Sequence, residues 1–132
     1  TVKGMTAAEA CLNDGGVIIM LSSCANGHGG DGFYRWFKEA ASPQEVAQKI
    51  QSIPPEDTLP DQWEAQILAR VLTKCKAAII VSEHVDPQMI RDMHMLHAAT
   101  FAQALGMADD LLGQKEEMVI IPDGVGVIVE NR

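Results

Sequence analysis

The segment VIIMLSSCANGHGGDGFYRW, residues 17–36, decides how this chain is read. Val17 to Leu21 are apolar without polar alternation, which suits a strand covered on both faces, as in a parallel sheet. Four glycines then fall within the six residues from Gly27 to Gly32, and Phe33, Tyr34 and Trp36 follow on an expected helix. Strand, glycine-rich loop and helix is the order found where an open α/β sheet holds a ligand, because backbone N–H groups and a helix N-terminus converge at the strand's carboxyl end. His28, Gly29, Gly30 and Asp31 are therefore candidate binding residues. The loop has no GxGxxG spacing and no GKS or GKT ending, so it carries neither the dinucleotide fingerprint nor the P-loop. A tight connection with several positive-φ glycines is the plainer reading of the same residues. Phe33 and Phe37, four apart, read as a core stripe that leaves Tyr34 and Arg35 partly solvated.

Helix-start chemistry recurs on both sides of this segment. Thr6-Ala-Ala-Glu9 has capping-box spacing and predicts a short helix ended by Asp14-Gly15-Gly16. Asp31 is placed to cap a helix reaching about Ala41, and Ser42-Pro43-Gln44-Glu45 restarts the pattern with serine as cap and proline at the first helical position. The prolines of IPPEDTLP, residues 53–60, remove donors and favour extended backbone, so that stretch predicts a loop. Asp61 then opens a helix with Trp63, Ile67, Val71 and Cys75 at four-residue spacing. Ala77 to Val81 is a second all-apolar strand, Asp86-Pro87 begins another helix, and Met93 to Ala98 predicts a short strand. Thr100-Phe-Ala-Gln103 is a further capping box, for a helix that Gly113 ends. Met118 to Ile121 reads as a strand, PDG as a turn, and VGVIVE as a strand or extended tail. Helices alternating with four or five strands predict an α/β fold, a three-layer α/β/α sandwich with a mostly parallel sheet.

The chain's 132 residues suit one domain, 1–132. Ten Lys and Arg against eighteen Asp and Glu give a net charge of −8, with no basic run, which excludes a nucleic-acid partner. Apolar runs fall short of the ~18 residues of a membrane span, and no signal pattern opens the chain; a soluble, cytoplasmic protein is expected. Cys11, Cys24 and Cys75 lack CxxC spacing and read as reduced thiols, with Cys11 and Cys75 in the core. Of the histidines, His94 and His97 could share a helical face, but on a strand a three-residue offset sends them to opposite faces, so no metal site is expected.

The elements VKGMTAAEACLNDGGVIIMLSSCANGHGGDGFYRWF, PDQWEAQILARVL and MVIIPDGVGVIVE resemble the C-terminal domain of the nickel-dependent lactate racemase family. The resemblance implies a two-domain parent with its active site between the domains. It implies an N-terminal domain whose histidines and lysine hold a nickel pincer nucleotide, and a reaction that removes and returns a hydride at the α-carbon of a small 2-hydroxy acid. Lys3 matches a family lysine that reaches the substrate and cofactor, and Trp63 a tryptophan lining the same cleft. A terminal lysine and a core tryptophan are the plainer readings of those two positions.

The chain starts at Thr1, immediately before the lysine segment and without the family's Tyr-Gln pair upstream of it. This leads to the expectation of a fragment that lacks the N-terminal cofactor-binding domain, binds no cofactor alone, and is inactive alone. The competing reading is a stand-alone α/β module that holds a small anion or nucleotide at the glycine loop without turning it over.

Overall fold

The structure, a computed structural model, describes residues 1–130. Helix α1 (Val2–Cys11) leads into β1 (Val17–Leu21), and α2 (Asp31–Lys38), α3 (Pro43–Gln51) and α4 (Gln62–Lys74) lead to β2 (Ala77–Val81). Helix α5 (Pro87–Asp92) joins it to β3 (Leu96–Ala98), and α6 (Phe101–Leu112) follows. The strands pair in parallel in the order β1-β2-β3, with Val17 opposite Ala77 and Ile79 opposite Leu96.

Side-chain alternation divides the core into two layers of contact. Ile18, Ala78 and Ile80 face a cluster built with Met5 of α1, Phe33 and Phe37 of α2, Val46 of α3 and Leu68 of α4. Ile79 and Ala98 face the other way, onto Ala104 and Ala108 of α6, flanked by Val17, Ile19 and Val81. Helices thus lie on both faces, as the absence of polar alternation in β1 and β2 requires.

The sheet has three strands among the described residues, not four or five. Met118 to Ile121 and VGVIVE form no strand; both lie beyond α6 as exposed backbone with no ladder partner. β3 begins only at Leu96, because His94 adopts φ +59 and breaks the extended run predicted from Met93.

Three of the predicted caps form. The Ser42 hydroxyl accepts from Glu45 N at 3.2 Å while Glu45 Oε2 accepts from Ala41 N at 2.6 Å. Thr100 Oγ1 accepts from Gln103 N at 3.2 Å while Gln103 Oε1 accepts from Ala99 N at 2.8 Å. Asp86 Oδ1 accepts from Gln88 N at 2.8 Å, ahead of Pro87.

The other caps differ. Thr6 lies inside α1 and its hydroxyl donates to Lys3 O at 2.7 Å; the helix starts at Val2 because Val2 and Met5 are already on the buried face. Gly30, not Asp31, occupies the N-cap of α2, and Asp31 is its first residue. That helix stops at Lys38, where a side chain meets the carbonyls at and just beyond its end: His94 Nε2 lies 3.0 Å from Phe37 O and 3.1 Å from Ala40 O. Carbonyls only accept, so Nε2 carries the hydrogen there. Asp61 holds the N-cap of α4 in a left-handed conformation without a side-chain cap bond; Gln62 Oε1 accepts from Leu59 N at 3.0 Å instead.

Candidate functional site

Helix α1 leads into β1 and α4 into β2, and those strands are parallel, so the two helices run side by side in the same direction. Their last turns are tied together. Arg70 donates through Nε and Nη2 to the two Glu9 carboxylate oxygens at 3.0 and 2.7 Å, and Lys74 Nζ donates to Glu9 O at 2.8 Å. Lys3 lies six residues before Glu9 and Trp63 seven before Arg70. At about 1.5 Å rise per residue, the two sit at nearly the same height, on the first turns of neighbouring helices. That end of the helices is the carboxyl edge of the sheet, where Thr1 Oγ1 and Ser22 Oγ hydrogen-bond at 2.7 Å just after β1.

Both side chains are turned to solvent. Trp63 is 53% exposed although it opens the apolar series that Val71 and Cys75 continue into the core. A four-residue step overshoots a helical turn by about 40°, so by Cys75 the series has wound roughly 120° around α4 from Trp63. Gln62, Ala65, Leu68 and Ala69 fill the buried face at that end. Lys3 is exposed and has no acidic partner within ion-pair distance among the described residues.

The glycine loop reaches the same edge. It leaves β1 through Cys24, at φ +47, and Gly29 sits at φ +86, where a side chain would be strained. A side chain at Gly30 or Gly32 would meet Asp61 Oδ2 at 3.8 or 3.9 Å, so the loop abuts the start of α4, two residues from Trp63. The structure thus brings Lys3, Trp63 and the loop residues His28, Gly29, Gly30 and Asp31 to one end of the sheet.

His28 is held on three sides. Its Nδ1 accepts from Gly30 N at 3.2 Å, so the ring hydrogen resides on Nε2, which faces Asp31 Oδ1 at 3.4 Å. Its ring stacks on Tyr34. The Tyr34 hydroxyl donates to Asp92, which also accepts from Gln88 Nε2 at 2.7 Å and pairs with Lys38 Nζ at 3.6 Å. The phenol's hydrogen bond, then that of Gln88, holds the Asp92 carboxyl below its ordinary value. The same bond to Asp92 raises the Tyr34 phenol, and the Tyr34 contact raises the Lys38 ammonium. Spacing gave no signal for this network, because Tyr34 and Asp92 are 58 residues apart.

Two cavities lie near the edge, and neither is lined by Lys3 or Trp63. An open depression of about 550 Å³ lies between the ends of the strands and the start of α6, bordered by Ser22, Ser82, His84 and Thr100. A small apolar pocket of about 60 Å³ sits under the loop, bordered by Met5, Cys24, His28 and Met93. His97 Nε2 lies 2.8 Å from Ser82 O and therefore donates to it. With His94 committed to α2, both histidines of the HxxH pair serve backbone carbonyls. No group of three His, Cys, Asp or Glu placed to hold a metal occurs among the described residues. Cys11, Cys24 and Cys75 are free thiols; Cys75 is buried, which raises its thiol, whereas Cys11 is only half-buried.

No helix of the described chain is long and apolar enough to cross a membrane. Over all 132 residues the chain is 50% identical to the lactate racemase of Thermoanaerobacterium thermosaccharolyticum, and over 129 residues it is 46% identical to that of Lactiplantibacillus plantarum. It spans 31% and 30% of the lengths of those two proteins. The fold superposes on the structure of the lactate racemase apoprotein from T. thermosaccharolyticum with a TM-score of 0.96 and 50% identity, covering 99% of this chain and 31% of that one. Residues 1–129 match the lactate racemase C-terminal domain, and the chain belongs to that family.

Proposed function

We propose that this chain is the C-terminal part of a racemase or epimerase of lactate or another 2-hydroxy acid, and that it closes an active site whose opposite wall belongs to the rest of a longer polypeptide. The observation that carries this reading is the convergence of Lys3, Trp63 and the glycine loop on the carboxyl edge of the sheet. Two large or charged side chains turned to solvent there are what a half-site displays before its other half is added.

Inverting the α-carbon of a 2-hydroxy acid by removing and returning a hydride requires a held carboxylate and a dry site. Lys3 supplies three donors on an ammonium with no ion-pair partner among the described residues, and is assigned to the substrate carboxylate. Trp63 supplies an apolar wall with one donor and is assigned to excluding water while the hydride moves. His28, with its hydrogen on Nε2, together with Gly29, Gly30 and Asp31, borders the cleft beside them and faces cofactor or substrate.

The resemblance implies a nickel pincer nucleotide as hydride carrier in the full-length protein. The described residues do not fit nickel: no three potential ligands converge, and His94 and His97 are bound to carbonyls. The carrier is therefore assigned to the other domain, and no step is routed through it here.

Interconversion of D- and L-lactate by the full-length parent, supplied with its cofactor, tests this. Lys3→Ala and Trp63→Ala should each lower the rate at least about tenfold. Unchanged rates in both variants would remove the site assignment, and racemisation by residues 1–132 alone would overturn the half-site reading.

A further inference from the structure

Residues 114–130 leave a surface that the domain itself does not use. Six of the ten large apolar residues exposed among the described residues lie there, with Ile120 at 72% and Ile128 at 92%. The runs MVII and VGVIV are rich in β-branched residues, the composition of paired strands, yet neither makes a backbone–backbone hydrogen bond among the described residues. The turn between them is already built: Asp123 Oδ1 accepts from Val125 N at 3.1 Å and from Gly126 N at 3.0 Å. This is a preformed turn flanked by two runs of strand composition that have no partners among the described residues.

The turn also lies against the start of α1. A Cβ on Gly124 would meet Gly4 Cα and Gly4 O at 3.0 Å each, so any side chain there would push the two backbones apart by a few tenths of an ångström. Gly4 is buried in the first turn of α1 and is adjacent to Lys3.

We infer that residues 114–130 are an arm that docks in extended form on the remainder of the parent polypeptide, and that the Gly124–Gly4 contact couples the docked arm to the helix carrying Lys3. The inference rests on the reading of the chain as the C-terminal part of a longer protein. The related racemases are about three times its length, which leaves ample polypeptide for the arm to meet. A second copy is the poorer occupant. Over residues 114–130, Lys115 stands against Glu116, Glu117, Asp123 and Glu130, and the whole chain carries −8, so arm and copy repel.

Hydrogen exchange of the full-length parent, measured at two protein concentrations, tests the docking without any variant. Amides 118–121 and 125–129 should exchange at least about tenfold more slowly than unprotected amides, equally at both concentrations. Ile128→Asp should abolish that protection. Exchange at unprotected rates in the wild-type parent would overturn the proposal, as would protection that appears only with dimers in light scattering. For the coupling, Gly124→Val, with Gly124→Ala as the milder variant, should leave the arm protected but speed exchange of amides 5–8, which bond to the carbonyls of the first turn of α1. Unchanged exchange there in both variants would sink the coupling. A protected arm in a parent inactive on 2-hydroxy acids would count against the racemase reading alone.

Discussion

The imidazole of His28 lies flat against the phenol ring of Tyr34, with centroids 4.8 Å apart and planes 11° from parallel. Tyr34 stands on α2 and its hydroxyl is held by Asp92 of α5, so the one histidine of the glycine loop is oriented by helices outside the loop. Removing the ring should therefore loosen the loop, whereas removing only the hydroxyl should not. In hydrogen exchange, Tyr34→Leu is expected to speed residues 25–32 several-fold, about threefold or more, with Tyr34→Phe close to wild type. Equal behaviour of the two variants would show that the stack does not order the loop.

Tyr34 is the single tyrosine of the chain, so its phenolate absorbance reports one group. The midpoint should lie above the ordinary value of about 10 and fall back in Asp92→Asn. The signs for stability follow by linkage. Tyr34 and Lys38 are raised in the folded state, so their contribution is present below about pH 10 and lost as pH rises through their folded values. Asp92 is lowered, so its contribution is present above about pH 4 and lost as pH falls through its folded value. A midpoint unmoved by Asp92→Asn would refute the coupling.

His94 shares its Nε2 hydrogen between Phe37 O in the last turn of α2 and Ala40 O just beyond that helix. His94→Ala leaves those half-buried acceptors without that donor and should cost about 1–2 kcal/mol in urea unfolding. A loss within experimental scatter would mean that water replaces the imidazole fully.

Phe37 and Trp63 separate packing from function. Phe37 is fully buried and meets Phe33 edge-on at 5.7 Å, so Phe37→Ala should cost about 3–5 kcal/mol. Trp63, exposed on the first turn of α4, should change stability by less than about 1 kcal/mol on Trp63→Ala while the parent loses activity. A large stability loss at Trp63 would make it a core anchor instead.

Much of the fold was legible because it rests on local chemistry. The apolar runs at Val17 and Ala77, the Ser42 and Thr100 capping boxes, and Asp86-Pro87 each specify their element within a few residues. Thr6 misled for the opposite reason: its capping spacing is genuine, but Val2 and Met5 bury against the sheet and pull the helix start upstream. The terminal runs at Met118 and Val125 have strand composition, but a strand needs a neighbour, and no described strand pairs with them.

The candidate site divides in the same way. Resemblance singled out Lys3 and Trp63, and the glycine pattern singled out His28 through Asp31. Only the tertiary structure placed them at one edge, because the parallel pairing of β1 with β2 and the Glu9–Arg70 tie align two helices that are 50 residues apart. The use of His94 and His97 on carbonyls and the Tyr34–Asp92 bond were likewise settled in three dimensions. The sequence by itself determined the α/β class, most element starts and the family, since periodicity, caps and motifs act over a few residues. The strand count, the solvent-facing Trp63 and the buttress behind His28 depend on contacts between distant segments, which no local pattern encodes.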